Sequence, residues 1–157
     1  MTRKRIVKIH VVATAVAMVT ILSFFTASLY AETVGDTALI LATKIAILYA
    51  LPLMIFAMPT LALTGNILAG KRQSPLVRIK QRRMKAVAIN GMILVALAVF
   101  LFTRAHGGRI DPVFLSAQAV ELLLGAINLL LLGLNVKDGL RLSGKVERSS
   151  KPFTYLN

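Results

Sequence analysis

Two ionisable side chains lie inside long apolar runs of this sequence, and their types and spacing suggest charge chemistry. Lys44 belongs to the run that begins near Thr37, and Glu121 to the run that begins near Val113. If both runs are helices that cross a membrane in the same direction, a rise of 1.5 Å per residue places both side chains roughly 10–12 Å below one surface. Opposite charges at matching depth predict that Lys44 and Glu121 pair across a helix interface.

Three interpretations of this pair stay open. Ionisable residues are costly inside a bilayer and usually face the interior of a helix bundle. The pair is therefore either a structural ion pair that fixes the register of the helices or a site that couples the movement of protons or ions. Alternatively, the Lys44 side chain extends towards the surface and the two charges never meet. The sequence favours the structural ion pair.

Polar residues accompany Glu121 along one face of its run, which we call the polar interior stripe. Projection at about 100° per residue places the following residues within about 60° of Glu121: Gln118, Gly125, Asn128, Leu132 and Asn135. We expect this stripe to face the bundle interior, where Asn side chains hydrogen-bond between helices. Asn90, in the third run, is expected to meet Asn128 or Asn135. Helix packing is favoured over a ligand site.

The first run carries small and polar residues that allow another helix to approach closely. They are His10, Ala13, Ala17, Thr20, Ser23 and Ala27. We expect them to form one packed face of the helix.

Residues that commonly hold metals or cofactors are scarce. The sequence has no cysteine and two histidines, so neither a metal site nor a resident cofactor is predicted. His10 and His106 fall at opposite ends of the predicted bundle and cannot share one haem, although a haem site that combines His10 with Met84 or Met92 stays open. The sequence contains no glycine-rich phosphate loop, Ser-His-Asp set or HExxH motif, which favours a noncatalytic protein.

The elements that must position these residues are membrane-spanning helices. Hydrophobic residues make up 57% of the 157 residues, against about 45–50% in a globular chain. They are concentrated in four runs long enough to cross a bilayer, at about 6–30, 37–63, 86–103 and 113–136. The first run follows a basic start, as in a signal peptide, but about 25 apolar residues are too many for the hydrophobic region of an ordinary signal peptide. The sequence predicts an all-α integral membrane protein, a four-transmembrane-helix bundle in a single membrane domain, 1–157.

The basic residues are distributed unequally between the two sides of this bundle. Four precede or begin the first span, seven lie in the predicted loop 71–85, and five lie in the tail 137–157, so one side holds sixteen. The other side holds only Arg104 and Arg109. Because basic residues favour the cytoplasmic side, the N-terminus, the loop 71–85 and the C-terminus are predicted to be cytoplasmic.

The net charge of +13 indicates a partner of negative charge. Its location at span ends, with no nucleic-acid-binding module around it, favours anionic lipid headgroups over nucleic acid. The candidate contacts with anionic lipid are Arg72, Arg78, Lys80, Arg82 and Arg83.

The function that these features favour is that of a small bacterial-type inner (plasma) membrane protein without catalytic activity. We expect an accessory, assembly or structural subunit that packs against itself or within a larger membrane complex. One alternative is a small oligomeric transporter or proton-coupled carrier that uses Lys44 and Glu121. A second alternative is a membrane redox protein that binds haem or a quinone.

Overall fold

Four long α-helices make up the described part of the chain, which covers residues 2–70 and 75–142 of a computed structural model. They are α1 (Arg3–Val34), α2 (Thr37–Ala69), α3 (Pro75–His106) and α4 (Pro112–Leu142). All four are long and apolar enough to cross a membrane, which confirms the prediction of an all-helical chain with four candidate spans. At 1.5 Å per residue each helix is about 46–50 Å long, which exceeds the roughly 30 Å of a bilayer's hydrocarbon core.

Turn-forming and capping residues explain where the helices stop and start. Gly35 ends α1 at φ 72°, a left-handed conformation that glycine adopts without steric cost. Asp36 then caps α2 by accepting a hydrogen bond from the backbone N–H two residues later, at 3.0 Å. At the next hairpin, Asp111 accepts a hydrogen bond of 3.0 Å from the backbone N–H of Phe114. Pro112 occupies the first position of α4, where its missing N–H is not needed.

The helices form a ring in which each packs against two neighbours. Helix α1 contacts α2 and α4, and α3 contacts the same two helices. Within the described ranges the backbones of diagonal helices, α1 with α3 and α2 with α4, make no close approach. The start of α1 and the end of α4 lie at one end of the bundle, the terminal end. The α1–α2 and α3–α4 turns lie at the other end, the hairpin end.

Two helices extend beyond the apolar runs that predicted them. Helix α3 begins at Pro75, so residues 75–85 are helical and the prediction of a loop across 71–85 is wrong for them. Helix α4 likewise continues through 137–142 of the predicted tail. The reason is that an apolar run marks the hydrocarbon-crossing part of a helix, whereas charged residues such as Lys and Arg also favour helix. Residues 71–74 and 143–157 lie outside the described part of the chain.

The buried face of α1 differs from the predicted one in its second half. Ala13, Ala17 and Thr20 are buried as expected, but Ser23 and Ala27 are exposed. An α-helix turns about 100° per residue, so one face of the helix recurs every 3.6 residues on average. The predicted positions are three residues apart more often than four, so the later ones rotate away from the interior. The buried positions later in α1 are instead Ile21, Ser28 and Ala31.

Candidate functional site: a charged cluster beside an apolar cavity

Lys44 and Glu121 are in contact inside the bundle. The ammonium nitrogen Nζ of Lys44 lies 2.7 Å from Oε2 of Glu121, and the Lys44 residue is only 2% exposed. Because α2 and α4 are diagonal helices, this ion pair crosses the bundle interior rather than joining adjacent surfaces. The structure therefore brings together the two charges that the sequence predicted at matching depth.

Two further side chains complete the hydrogen bonding of this pair. Lys44 Nζ also lies 3.4 Å from the hydroxyl oxygen of Ser28 on α1. Gln118, one turn before Glu121 on α4, donates from Nε2 to Glu121 Oε2 at 3.1 Å. Both donors to Glu121 thus use the same carboxylate oxygen, Oε2, and no residue in the described part of the chain donates to Oε1.

Glu32 is a third charged residue of the site, and sequence reasoning missed it. It lies on α1 within electrostatic range of both Lys44 and Glu121. Its Oε1 atom is buried and has no hydrogen-bond partner among the described residues. Two carboxylates, those of Glu32 and Glu121, therefore lie within electrostatic range of the Lys44 ammonium group. The sequence signal that could have found Glu32 is its position four residues after Ser28, which puts both residues on one helix face.

An apolar cavity of about 340 Å³ lies next to Glu121, in the middle of the bundle. All four helices contribute to its wall, and the polar residues that line it are Ser28, Glu121 and Asn128. Ile55 on α2 and Met92 on α3 line the cavity and are 55% and 67% exposed, more than an enclosed wall would allow. The cavity therefore opens sideways between α2 and α3.

The rest of the polar interior stripe is buried as the sequence predicted. Gln118, Asn128 and Asn135 are 2%, 1% and 4% exposed. Asn90, on α3, donates from Nδ2 to Asn128 Oδ1 at 2.9 Å and to the backbone carbonyl of Leu124 at 2.8 Å. Of the two predicted partners of Asn90, the structure places Asn128 in contact. The amide atoms of Asn135 are buried without a partner among the described residues.

The basic residues expected to contact lipid headgroups differ in how exposed they are and in whether their charge is paired. Arg78 and Arg82 are exposed on α3. Arg83 instead donates to Asp138 Oδ2 on α4 at 2.6 Å, so its charge is paired within the bundle. Lys80 is half-buried, and a Cβ atom at Gly139 would lie 3.1 Å from its Nζ. Arg72 lies outside the described residues.

The two histidines lie at opposite ends of the bundle. His10 Nδ1 is 2.9 Å from the hydroxyl oxygen of Thr64, which joins α1 to α2 near the terminal end. His106, the last residue of α3, is exposed and stacks on Phe102 with ring centroids 5.6 Å apart. In the described part of the chain no three His, Cys, Asp or Glu side chains form a cluster that could hold a metal ion.

A third charged pair, Arg104–Asp111, lies at the hairpin end of the bundle. Arg104 donates from a terminal guanidinium nitrogen to Asp111 Oδ2, while the backbone N–H of Phe114 donates to Oδ1. The Phe114 N–H and the Arg104 guanidinium together lower the pKa of the Asp111 carboxyl. This arrangement ties the end of α3 to the start of α4.

Comparisons of the chain with protein-family models, with curated proteins and with solved structures give no match.

Proposed function

We propose that this chain is a noncatalytic multi-pass protein of a bacterial-type inner membrane, an accessory or assembly subunit of a larger membrane complex. The observation that supports this role is that three pairs of interior polar or charged side chains bond one another between helices. The Lys44–Glu121 pair joins α2 to α4, and the pairs Asn90–Asn128 and Arg83–Asp138 join α3 to α4. Such contacts stabilise the packing of helices, which favours a structural role over a catalytic one.

The proposed orientation places the terminal end in the cytoplasm. The strong excess of basic residues at that end supports it, because such residues are retained on the cytoplasmic side during insertion. In this orientation Arg78 and Arg82, which are exposed, are the described candidates for contact with anionic headgroups.

The test of this role is the state of the membrane complex when the chain is removed. A tagged full-length chain, extracted in mild detergent, is expected to migrate in native electrophoresis as part of an assembly with other subunits. Deleting the chain should reduce the amount of that assembly in the membrane. Wild type and the exposed-site variant Ser116→Ala should restore it, whereas Lys44→Met, which leaves Glu121 without its partner, should restore less.

An extracted chain that migrates alone, together with unchanged membrane complexes after deletion, would contradict the proposed role.

A second candidate function is a small oligomeric carrier coupled to protons, and the observation that favours it is the contact of Glu121 with the cavity. A carboxylate that reaches an opening can exchange a proton for another cation. Proteoliposomes that contain a trapped pH dye test this function with dodecyltrimethylammonium, which carries no proton of its own. A carrier would move protons when this cation is added, and a Lys44→Met/Glu121→Leu variant would not. No proton movement with wild type would exclude coupling to this cation.

A further inference from the structure

The cavity beside Glu121 has the shape of a binding site for a molecule that enters from the lipid phase. Its volume of about 340 Å³ falls within the range of small-molecule sites, about 300–1,000 Å³. Its wall is made mostly of apolar side chains, among them Phe25, Leu51, Met58 and Leu122. Because it opens between two apolar helix surfaces, its occupant must have an apolar body.

A hydrogen-bond acceptor without a donor among the described residues lies at this cavity. Lys44 and Gln118 both donate to Glu121 Oε2, and no described residue donates to Oε1. Glu121 is one of the residues that line the cavity. A ligand that donates a hydrogen bond would satisfy this oxygen.

The charges around the cavity favour a ligand of positive charge. Glu32 and Glu121 both lie within electrostatic range of Lys44, which forms its salt bridge with Glu121. When both carboxylates are ionised, these three residues carry one negative charge in excess. An uncompensated charge in a bundle interior is costly, and a second cation would remove that cost. The apolar walls exclude water, which strengthens the attraction between such a cation and the carboxylates.

We propose that the cavity binds an amphiphilic amine, a molecule with one ammonium group and an apolar chain. The ammonium donates to Glu121 Oε1, and the chain fills the cavity towards the opening between α2 and α3. This assignment does not rest on the accessory role proposed above, because the cavity and its charges would serve a subunit and a carrier equally.

Binding of a radiolabelled long-chain amine by the full chain tests the proposal. The protein is placed in nanodiscs of phosphatidylcholine, which has no net charge, and empty nanodiscs supply the background. Dodecylamine is compared with 1-dodecanol, which has the same chain and no charge. We expect the amine to bind at least about tenfold more tightly, since a charge-assisted hydrogen bond is stronger than a neutral one.

Two glycines in the wall allow the cavity to be filled without disturbing the ion pair. A Cβ atom at Gly125 would lie 3.7 Å from Phe25, and one at Gly91 would lie 3.7 Å from Met58, which are ordinary contacts. Gly125→Leu and Gly91→Leu are each expected to weaken binding at least about tenfold, because the added side chain occupies the ligand's space. Gly133→Leu is the matched control, since nothing lies within 4 Å of a Cβ atom there.

Glu32→Gln tests the charge argument, because it removes the excess negative charge and leaves the Lys44–Glu121 contact in place. We expect it to weaken amine binding about fivefold or more, with no change for dodecanol. Circular dichroism on each variant confirms that it is folded. The proposal is overturned if amine and alcohol bind equally well, if binding survives both cavity-filling substitutions, or if Glu32→Gln leaves the affinity for the amine unchanged.

Discussion

At the scale of single residues, the buried Lys44 contributes to the stability of the fold only together with its ion-pair partner, Glu121. It is among the largest fully buried side chains of the described residues, and its charge is satisfied by Glu121 and Ser28. Breaking a buried ion pair leaves one charge uncompensated, whereas replacing both members with apolar residues removes the problem. This asymmetry gives the pair a distinctive mutational signature.

We predict that Lys44→Met and Glu121→Leu each destabilise the protein by about 3 kcal/mol, while the double replacement is less destabilising than either single one. Thermal unfolding in detergent, followed by far-ultraviolet circular dichroism, measures the three differences. A double variant no more stable than the singles would show that the contact contributes little. Ser116→Ala on the exposed face of α4 serves as the control.

Asp111 is predicted to make stability depend on acid pH. Its pKa is lowered in the folded chain, so the folded state is stabilised while the carboxyl is ionised. This contribution is complete above the ordinary aspartate pKa of about 4 and disappears as the pH falls through the lowered value. Asp111→Asn should therefore melt at a lower temperature than wild type at pH 7.

The same comparison at acid pH checks the sign of this effect. The difference in melting temperature between wild type and Asp111→Asn should shrink below about pH 4 and vanish once the wild-type carboxyl is protonated. Ser116→Ala has no titrating group and should track wild type throughout. A difference that is constant from pH 7 to pH 2 would rule out a contribution from the charge of Asp111.

At the scale of helices, the existence of all four was predictable, and their lengths were not. The apolar runs gave α2 its first residue, Thr37, and α4 its start within one residue of Pro112. They missed the first eleven residues of α3, because hydropathy reports the part of a helix that meets lipid. The helix-favouring Lys, Arg, Gln and Leu of 75–85, with no Gly or Pro after Pro75, were the available signal.

The contacts between hairpin partners were also open to prediction from the turns. Ser28 and Lys44 are each eight residues from Asp36, and Asn90 and Asn128 are each nineteen residues from Arg109. In an antiparallel hairpin, residues equally far from the turn lie at the same level. The cavity, in contrast, could not be predicted, because an unfilled volume depends on how side chains of all four helices interlock.

The helical start of α3 leads to a prediction of its own. Gln81 is exposed, so a substitution there changes the helical propensity of the backbone and leaves the packing between helices unchanged. Gln81→Pro should destabilise the protein by about 3 kcal/mol, because proline removes a helical hydrogen bond and clashes with the preceding turn. Gln81→Ala should be neutral or slightly stabilising. Equal melting temperatures for the two variants would show that 75–85 contributes no helix.

At the scale of the whole molecule, the two ends of the bundle differ strongly in the number of basic residues that they carry. The terminal end carries most of the described basic residues, while Arg104 and Arg109 lie at the hairpin end and Lys44 lies inside the bundle. Arg83 and Lys80 show that this charge is not all surface charge, because Arg83 is paired with Asp138 and Lys80 is half-buried. The proposed attraction to anionic lipid therefore rests on fewer residues than the sequence indicated.

Reporter fusions test the proposed orientation of the whole molecule. Alkaline phosphatase, which is active only outside the cytoplasm, should be active when inserted at Gly108 and inactive when fused after Asn157. Green fluorescent protein fused after Asn157 should fluoresce. Both fusions leave the basic segments unchanged, so the charge asymmetry that sets the orientation is kept. The opposite pattern of activities would reverse the proposed topology.

The diagonal position of the Lys44–Glu121 pair has a consequence for biosynthesis. The two residues are 77 positions apart in the chain. At about 5–20 residues per second, a ribosome needs between about 4 and 15 seconds to pass from one to the other. During the first part of that time, before α3 is made, the lysine has α1 as its helical neighbour, where Ser28 and Glu32 lie. Glu32 would thus serve as the first carboxylate partner of Lys44, until the second hairpin brings Glu121 into contact with it.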